Sequence, residues 1–104
     1  MNKPKFRVQE GDSCVVMFDV DGTLITYDDK PNYPVISLFH MFERAGCDMI
    51  IASGGGKDYA ERWAEKLGLK ARVYGKFDSE FTAIKLDLTF DDEGYNYGQF
   101  NFRV

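Results

Sequence analysis

The feature that most constrains this chain is a set of short apolar runs, each ending on a polar residue. Cys14-Val15-Val16-Met17-Phe18 runs into Asp19, and Met49-Ile50-Ile51-Ala52 runs into Ser53. Leu86 to Phe90, which carries Asp87 and Thr89 between its apolar residues, predicts a fourth strand ending at Asp91-Asp92. Apolar runs without polar alternation mark strands buried on both faces, and such strands belong to parallel sheets. Helical patterns lie between them. Pro34 suits the first turn of a helix, and Val35, Leu38, Phe39 and Phe42 follow at one-face spacing, with Gly46 as the stop. Tyr59, Ala60, Trp63, Ala64 and Leu67 give a second amphipathic helix ended by Gly68, after the glycines 54 to 56. Ala71 to Tyr74 predicts a third strand. Asp78 to Ile84 predicts a short helix capped by Asp78 or Ser79. Residues 1–12 read as a polar lead-in, the stretch from Thr26 to Tyr33 as a loop, and Tyr95 to Val104 as a last strand or packed extension.

Strand and helix therefore alternate, which implies an α/β fold with a mainly parallel sheet and helices on both faces. In such folds the site lies beyond the C-terminal ends of the strands. Asp19, Ser53 and Asp91 occupy those ends. A length of 104 residues is enough for one domain over residues 1–104. Net charge is −4, which weighs against general affinity for a nucleic-acid backbone while leaving a local basic site open. Cys14 and Cys47 sit at strand edges without any Cys/His pairing for zinc, so they read as buried thiols in a reducing, cytoplasmic setting. No run reaches the length of a membrane span, and the N-terminus lacks the apolar segment of a signal peptide.

The chemistry concentrates in Phe18-Asp19-Val20-Asp21-Gly22-Thr23-Leu24. Two carboxylates just past a buried strand can face one cavity, and Gly22 permits a sharp turn. Clustered carboxylates repel and call for a cation; Mg²⁺ suits oxygen ligands and phosphate-bearing substrates. An EF-hand reading fails, because Leu24 stands where the loop needs Gly and Lys30 where it needs Glu. A P-loop reading fails as well: Gly54-Gly55-Gly56-Lys57-Asp58 lacks both the spacing and the hydroxyl. A receiver domain would place its acid pair before the acceptor Asp, and the order here is reversed.

Asp19-Val20-Asp21-Gly22-Thr23, with the strand before it, resembles the first motif of the haloacid dehalogenase-like (HAD) hydrolase superfamily. Ile50-Ile51-Ala52-Ser53-Gly54 is similar to its second motif and Leu88-Thr89-Phe90-Asp91-Asp92 to its fourth. For the third, a lysine, Lys76 fits best and Lys85 less well. The four span residues 15 to 92 in the family's order. The resemblance implies a Rossmann-like three-layer sandwich. It implies Asp19 as nucleophile through an aspartyl-phosphate, and Asp21 as the acid and base for leaving group and water. Mg²⁺ would be held by Asp19, the Val20 carbonyl and Asp91, helped by Asp92. Ser53 and the Gly54 amide would bind phosphoryl oxygens, and Lys76 would offset charge between nucleophile and phosphate. Asp21 favours phosphoester hydrolysis over dehalogenation. The segments after Leu24 and after Ser53 are too short for the family's cap domain; the resemblance then implies an open site suited to a bulky or macromolecular substrate, or a cap supplied by a partner subunit.

Plainer readings stand beside these. Asp19 and Asp21 alone would be a solvated turn, Asp91-Asp92 an acidic turn, Ser53 a helix cap and Lys76 a surface lysine. His40 reads as structural, Tyr59 and Trp63 as packing. The aromatic tail reads as closing the small core or an oligomer contact, less readily as a base-stacking surface. The expected function is Mg²⁺-dependent phosphomonoester hydrolysis on a phosphorylated substrate, without membrane attachment and possible as a homo-oligomer. The rival is a non-catalytic HAD-like module that binds metal or phosphate for a partner. A subunit that processes nucleic-acid ends is a third reading, disfavoured by the acidic charge.

Overall fold

Each apolar run becomes a strand in the computed structural model, which describes residues 14–104. The polar lead-in falls outside the described residues. The elements are β1 (Val15–Asp19), α1 (Tyr33–Arg44), β2 (Asp48–Ser53), α2 (Lys57–Leu67), β3 (Arg72–Gly75), α3 (Ser79–Thr82), β4 (Leu86–Asp91) and β5 (Gly98–Arg103). The strands form one sheet in the order β3-β2-β1-β4-β5, and every pairing is parallel. The fold is thus α/β and Rossmann-like. No helix among the described residues is long and apolar enough to cross a membrane.

Handedness decides which face each connection covers. From β1 to β3 the chain steps one way along the sheet, and right-handed crossovers put α1 and α2 on the same face. From β3 the chain steps back past β1, so α3 falls on the other face. The core divides accordingly, with the strand period of two. Val16, Phe18, Met49, Ile51 and Phe90 pack with Val35, Ile36 and Phe39 of α1 and with Ala60 and Ala64 of α2. Val15, Met17, Ile50 and Ala52 pack with Phe81 of α3 and with Leu86. The first face is closed by aromatic contacts: Phe18 stacks on Phe90 at 4.7 Å between ring centroids and meets Phe39 at 5.4 Å. The second layer is thin, one short helix plus the strap at residues 92–97.

Local differences from the sequence reading have physical reasons. The short helix covers Ser79–Thr82, not Asp78 to Ile84. Asp78 stands at the N-cap position, but its carboxylate accepts the Gly75 N–H at 2.8 Å instead of capping the helix. Leu38 and Phe42 of α1 and Tyr59, Trp63 and Leu67 of α2 are only half-buried at the margin of the core, with Ile36 and the alanines filling its centre. The two free cysteines are half-buried rather than buried. His40 pairs with Glu43 on its own helix at 3.1 Å.

The tail resolves as a strand, with an unusual approach. Parallel neighbours ordinarily need a connection of about a dozen residues or more. Here residues 92–97 alone carry the chain from the end of β4 back to its start, where Gly98 pairs with Leu86. Asn101 fixes the landing: its carboxamide accepts from Gly98 N–H at 2.9 Å and from the Thr89 hydroxyl at 2.6 Å, and donates to the Gly98 carbonyl at 2.7 Å. A Cβ on Gly98 would lie 2.9 Å from the Leu86 carbonyl oxygen. Gly98→Val should therefore cost about 1–3 kcal/mol by overpacking, read as a lower urea midpoint. An unchanged midpoint would mean that β5 is not seated on β4 in solution.

Candidate active site

The sheet reverses its strand order between β1 and β4, and there the C-terminal ends of the strands open a crevice. Pairing of Phe18 with Phe90 sets Asp19 beside Asp91. Both carboxylates are buried. Lys76, also buried, arrives from the loop after β3, whose position is set where its backbone N–H donates to the Ser53 carbonyl at 2.9 Å. Its ammonium lies 2.8 Å from Asp19 Oδ1 and 2.6 Å from Asp91 Oδ2. Lys85, the weaker lysine candidate, is exposed just before β4, at the opposite end of that strand from Asp91.

The remaining carboxylate oxygens are also held. Thr23 Oγ1 donates to Asp19 Oδ2 at 3.3 Å, and the Glu93 N–H donates to Asp91 Oδ1 at 3.0 Å. Asp92 accepts a hydrogen bond from the Tyr27 hydroxyl. Asp21 Oδ1 accepts one from the Tyr59 hydroxyl at 2.7 Å. Tyr59 therefore does more than pack. Gly22 sits beneath the Tyr27–Asp92 contact with φ +75°, and a Cβ there would come 2.5 Å from Asp92 Oδ2. Its lack of a side chain answers to both backbone and space. The Ser53 hydroxyl oxygen accepts the Gly55 N–H at 3.0 Å, which leaves its proton free to donate.

Together Asp19, Asp21, Ser53, Gly54, Gly55 and Lys76 line a cleft of about 380 Å³, with Asp92 and Glu93 at one side and Tyr27, Phe77, Tyr95 and Tyr97 around them. Tyr27 had no chemical signal in the sequence, and Tyr95 and Tyr97 only that of an aromatic tail. One assignment is corrected. The Val20 carbonyl accepts two backbone N–H groups, from Thr23 at 3.2 Å and Ile25 at 3.1 Å, and Val20 does not line the cleft. Both lone pairs are engaged in the turn, so this oxygen is not a metal ligand.

A cation site survives that correction. Oxygens of Asp19, Asp91 and Asp92 lie within 4.8 Å of one another. Three carboxylates against one ammonium leave two negative charges over, and an all-oxygen donor set of that charge suits a hard divalent cation. Burial pushes the Asp19 carboxyl up to about 7, although Lys76 opposes the shift. Burial works to lower Lys76, but its bonds to Asp19 and Asp91 outweigh that and raise it. For Asp92 partial burial raises the carboxyl, but hydrogen bonds from Tyr27 and with Asp19 and Asp91 together outweigh it and hold the carboxyl below its usual range.

The sequence model of the haloacid dehalogenase-like hydrolases matches residues 16–77, more than half of the chain. The match contains Asp19, Asp21, Ser53 and Lys76. Asp91 and Asp92 lie beyond it and join the cluster in space. No curated protein and no solved structure gives a significant match.

The raised Asp19 carboxyl has a stability consequence. Its folded value exceeds the ordinary 3.8, so its ionisation disfavours folding progressively from about pH 4 to about pH 7. A divalent cation held by the ionised carboxylates would reverse this. Millimolar Mg²⁺ should raise the thermal midpoint by about 5 °C or more at pH 7.5, and by much less at pH 5. Asp91→Asn should remove the increment. An equal Mg²⁺ effect at both pH values would contradict a carboxylate site.

Proposed function

The chain belongs to the haloacid dehalogenase-like hydrolases, and we propose that it hydrolyses phosphomonoesters through an aspartyl-phosphate on Asp19, with Mg²⁺ as its metal. The observation that carries this reading is the pairing of two differently held acids at one cleft. Asp19 is buried against Lys76, whereas Asp21 is half-exposed and hydrogen-bonded to a tyrosine. The first arrangement suits a nucleophile fixed in one orientation. The second suits an acid that must meet both leaving group and water.

An Asp19 oxygen attacks phosphorus, and the bond from phosphorus to the ester oxygen breaks as Asp21 gives that oxygen its proton. Water then attacks the phosphoryl group, Asp21 takes a proton from it, and the Asp19 carboxylate departs. The Ser53 hydroxyl, the Gly54 amide and the Lys76 ammonium hold phosphoryl oxygens throughout, the serine with its proton left free to donate by the Gly55 bond to its oxygen. Bound Mg²⁺, held by Asp19, Asp91 and Asp92, would neutralise charge on the phosphoryl oxygens. The rival reading of a metal- or phosphate-binding module gives no role to an acid positioned as Asp21 is.

The connections between β1 and α1 (residues 20–32) and between β2 and α2 (residues 54–56) are short. They cover the site with no added domain, which supports substrates too large for an enclosed pocket. Two free cysteines fit a reducing, cytoplasmic setting.

Phosphate release from p-nitrophenyl phosphate should require Mg²⁺ and should fall by a factor of about 10³ or more in Asp19→Asn. Asp21→Asn should still take the phosphoryl group from this activated ester, then stall, leaving a mass increment of ~80 Da on Asp19. Tyr59→Phe should lower kcat by about tenfold, the scale of one hydrogen bond to a charged group, with KM little changed. A native protein that releases no phosphate and forms no beryllofluoride adduct at Asp19 would leave the binding-module reading standing.

A further inference from the structure

Phosphoryl transfer at this cleft uses carboxylates, a lysine, a hydroxyl and backbone amides, yet four aromatic rings stand around it. Tyr27, Phe77 and Tyr95 are 78%, 86% and 50% exposed, three of the eight large apolar side chains that stand exposed among the described residues. Phe77 directly follows Lys76 and projects beside the cleft with most of its surface in water. Tyr95 and Tyr97 contact each other at 5.4 Å, and Tyr97 is braced on Phe81 at 5.9 Å. Their rings lie 5.9 and 5.6 Å from the Lys76 ammonium. A group one or two bonds from a phosphate held by Lys76 would therefore meet these rings. Exposed aromatic surface costs solvation unless something covers it, and rings flanking a polar anchor are the usual way a pocket receives a flat group.

Charge limits what that group carries. Asp21, Asp92 and Glu93 line the same cleft, and Lys76, its one cationic lining residue among those described, is already shared between two carboxylates. Arg103 lies next to Asp92 but spends its Nε on the Asp92 carbonyl at 3.1 Å and does not line the cleft, so among the described residues a second phosphate near the first would meet mainly repulsion.

We propose that the substrates are monophosphates of alcohols or phenols bearing a planar aromatic ring, with a single phosphate and an otherwise uncharged leaving group. This rests on the hydrolase reading above and narrows it. Phe77 and Tyr95 supply the stacking surface, while the acidic side of the cleft turns away polyphosphates and polynucleotide ends.

The test compares benzyl phosphate with cyclohexylmethyl phosphate, two primary alkyl esters that differ in the flatness of the ring. The native protein should favour benzyl phosphate in kcat/KM by about tenfold, the lower range for one stacked ring. Phe77→Ala and Tyr95→Ala should each bring that ratio towards one. Thymidine 5′-monophosphate should be hydrolysed faster than a 5′-phosphorylated oligothymidylate at low salt. Equal rates for the two ring esters would overturn the proposal, and so would preference for the oligonucleotide. Binding decides the same question without catalysis. Titrated into Asp19→Asn, benzyl phosphate should bind about tenfold more tightly than cyclohexylmethyl phosphate. That result beside an inactive native protein would sink the hydrolase reading and keep the ring specificity; equal affinities would sink the ring specificity alone.

Discussion

Two carboxylates at the ends of neighbouring parallel strands stand about 5 Å apart by the geometry of the sheet, and here both are buried. Burying charge without a partner is costly, and burying two of the same sign is costlier. The Lys76 ammonium, within hydrogen-bonding distance of Asp19 and Asp91, makes the arrangement tenable. Its own position is fixed by backbone: its N–H donates to Ser53, and the Asp78 carboxylate holds Gly75 next door. The ends of β1, β2 and β4 are thereby tied through one residue, β1 and β4 by its side chain and β2 by its backbone. Removing one partner from such a buried group is far more damaging than removing a surface pair, since it leaves an uncompensated charge inside.

The two tyrosine–carboxylate pairs are a second layer of the same logic. Tyr59 on Asp21 and Tyr27 on Asp92 each raise the phenol above its ordinary range, the hydrogen bond being the largest cause. A phenol so held stays a neutral donor. It orients a carboxylate without adding to the negative charge of the cleft. In a cleft that the described residues leave open to water, which competes for every acceptor, such fixed donors limit how far the acids wander.

Much of this was legible in the sequence. Val15 to Phe18 and Met49 to Ala52 carried no polar alternation, which placed them inside a parallel sheet and put Asp19 and Ser53 at the mouth of the crevice. The helices followed from three-and-four spacing and from Gly46 and Gly68. What escaped depended on contacts between distant residues. Tyr27 reaches Asp92 across 65 positions and Tyr59 reaches Asp21 across 38. Tyr59 also has the spacing of a core residue, so its hydroxyl gave no sign of its partner. The Val20 carbonyl was misassigned because a sequence does not show which backbone oxygens a turn consumes. The path of the tail stayed open between strand and extension because residues 92–97 are far fewer than a parallel return ordinarily takes.

That short return makes the last strand a tether with little slack. From Asp91 to Gly98 an extended chain reaches about 24 Å. Five strand residues of return plus the sideways step to the next strand already take about 17 Å in a straight line, before the path bends over the sheet. A slip of β5 by two further residues would ask for nearly the full reach and is closed off. The tether also bears Tyr95 and Tyr97, so strand register and the placement of those rings are geared together. When β5 unpairs, one wall of the cleft goes slack with it, while Asp19, Asp21, Ser53 and Lys76, all on earlier segments, keep their supports. Tyr95, Tyr97 and the Asp92 carboxylate thus ride on the one stretch whose hold depends on β5, whereas Phe77 stays with Lys76 on the other side of the cleft.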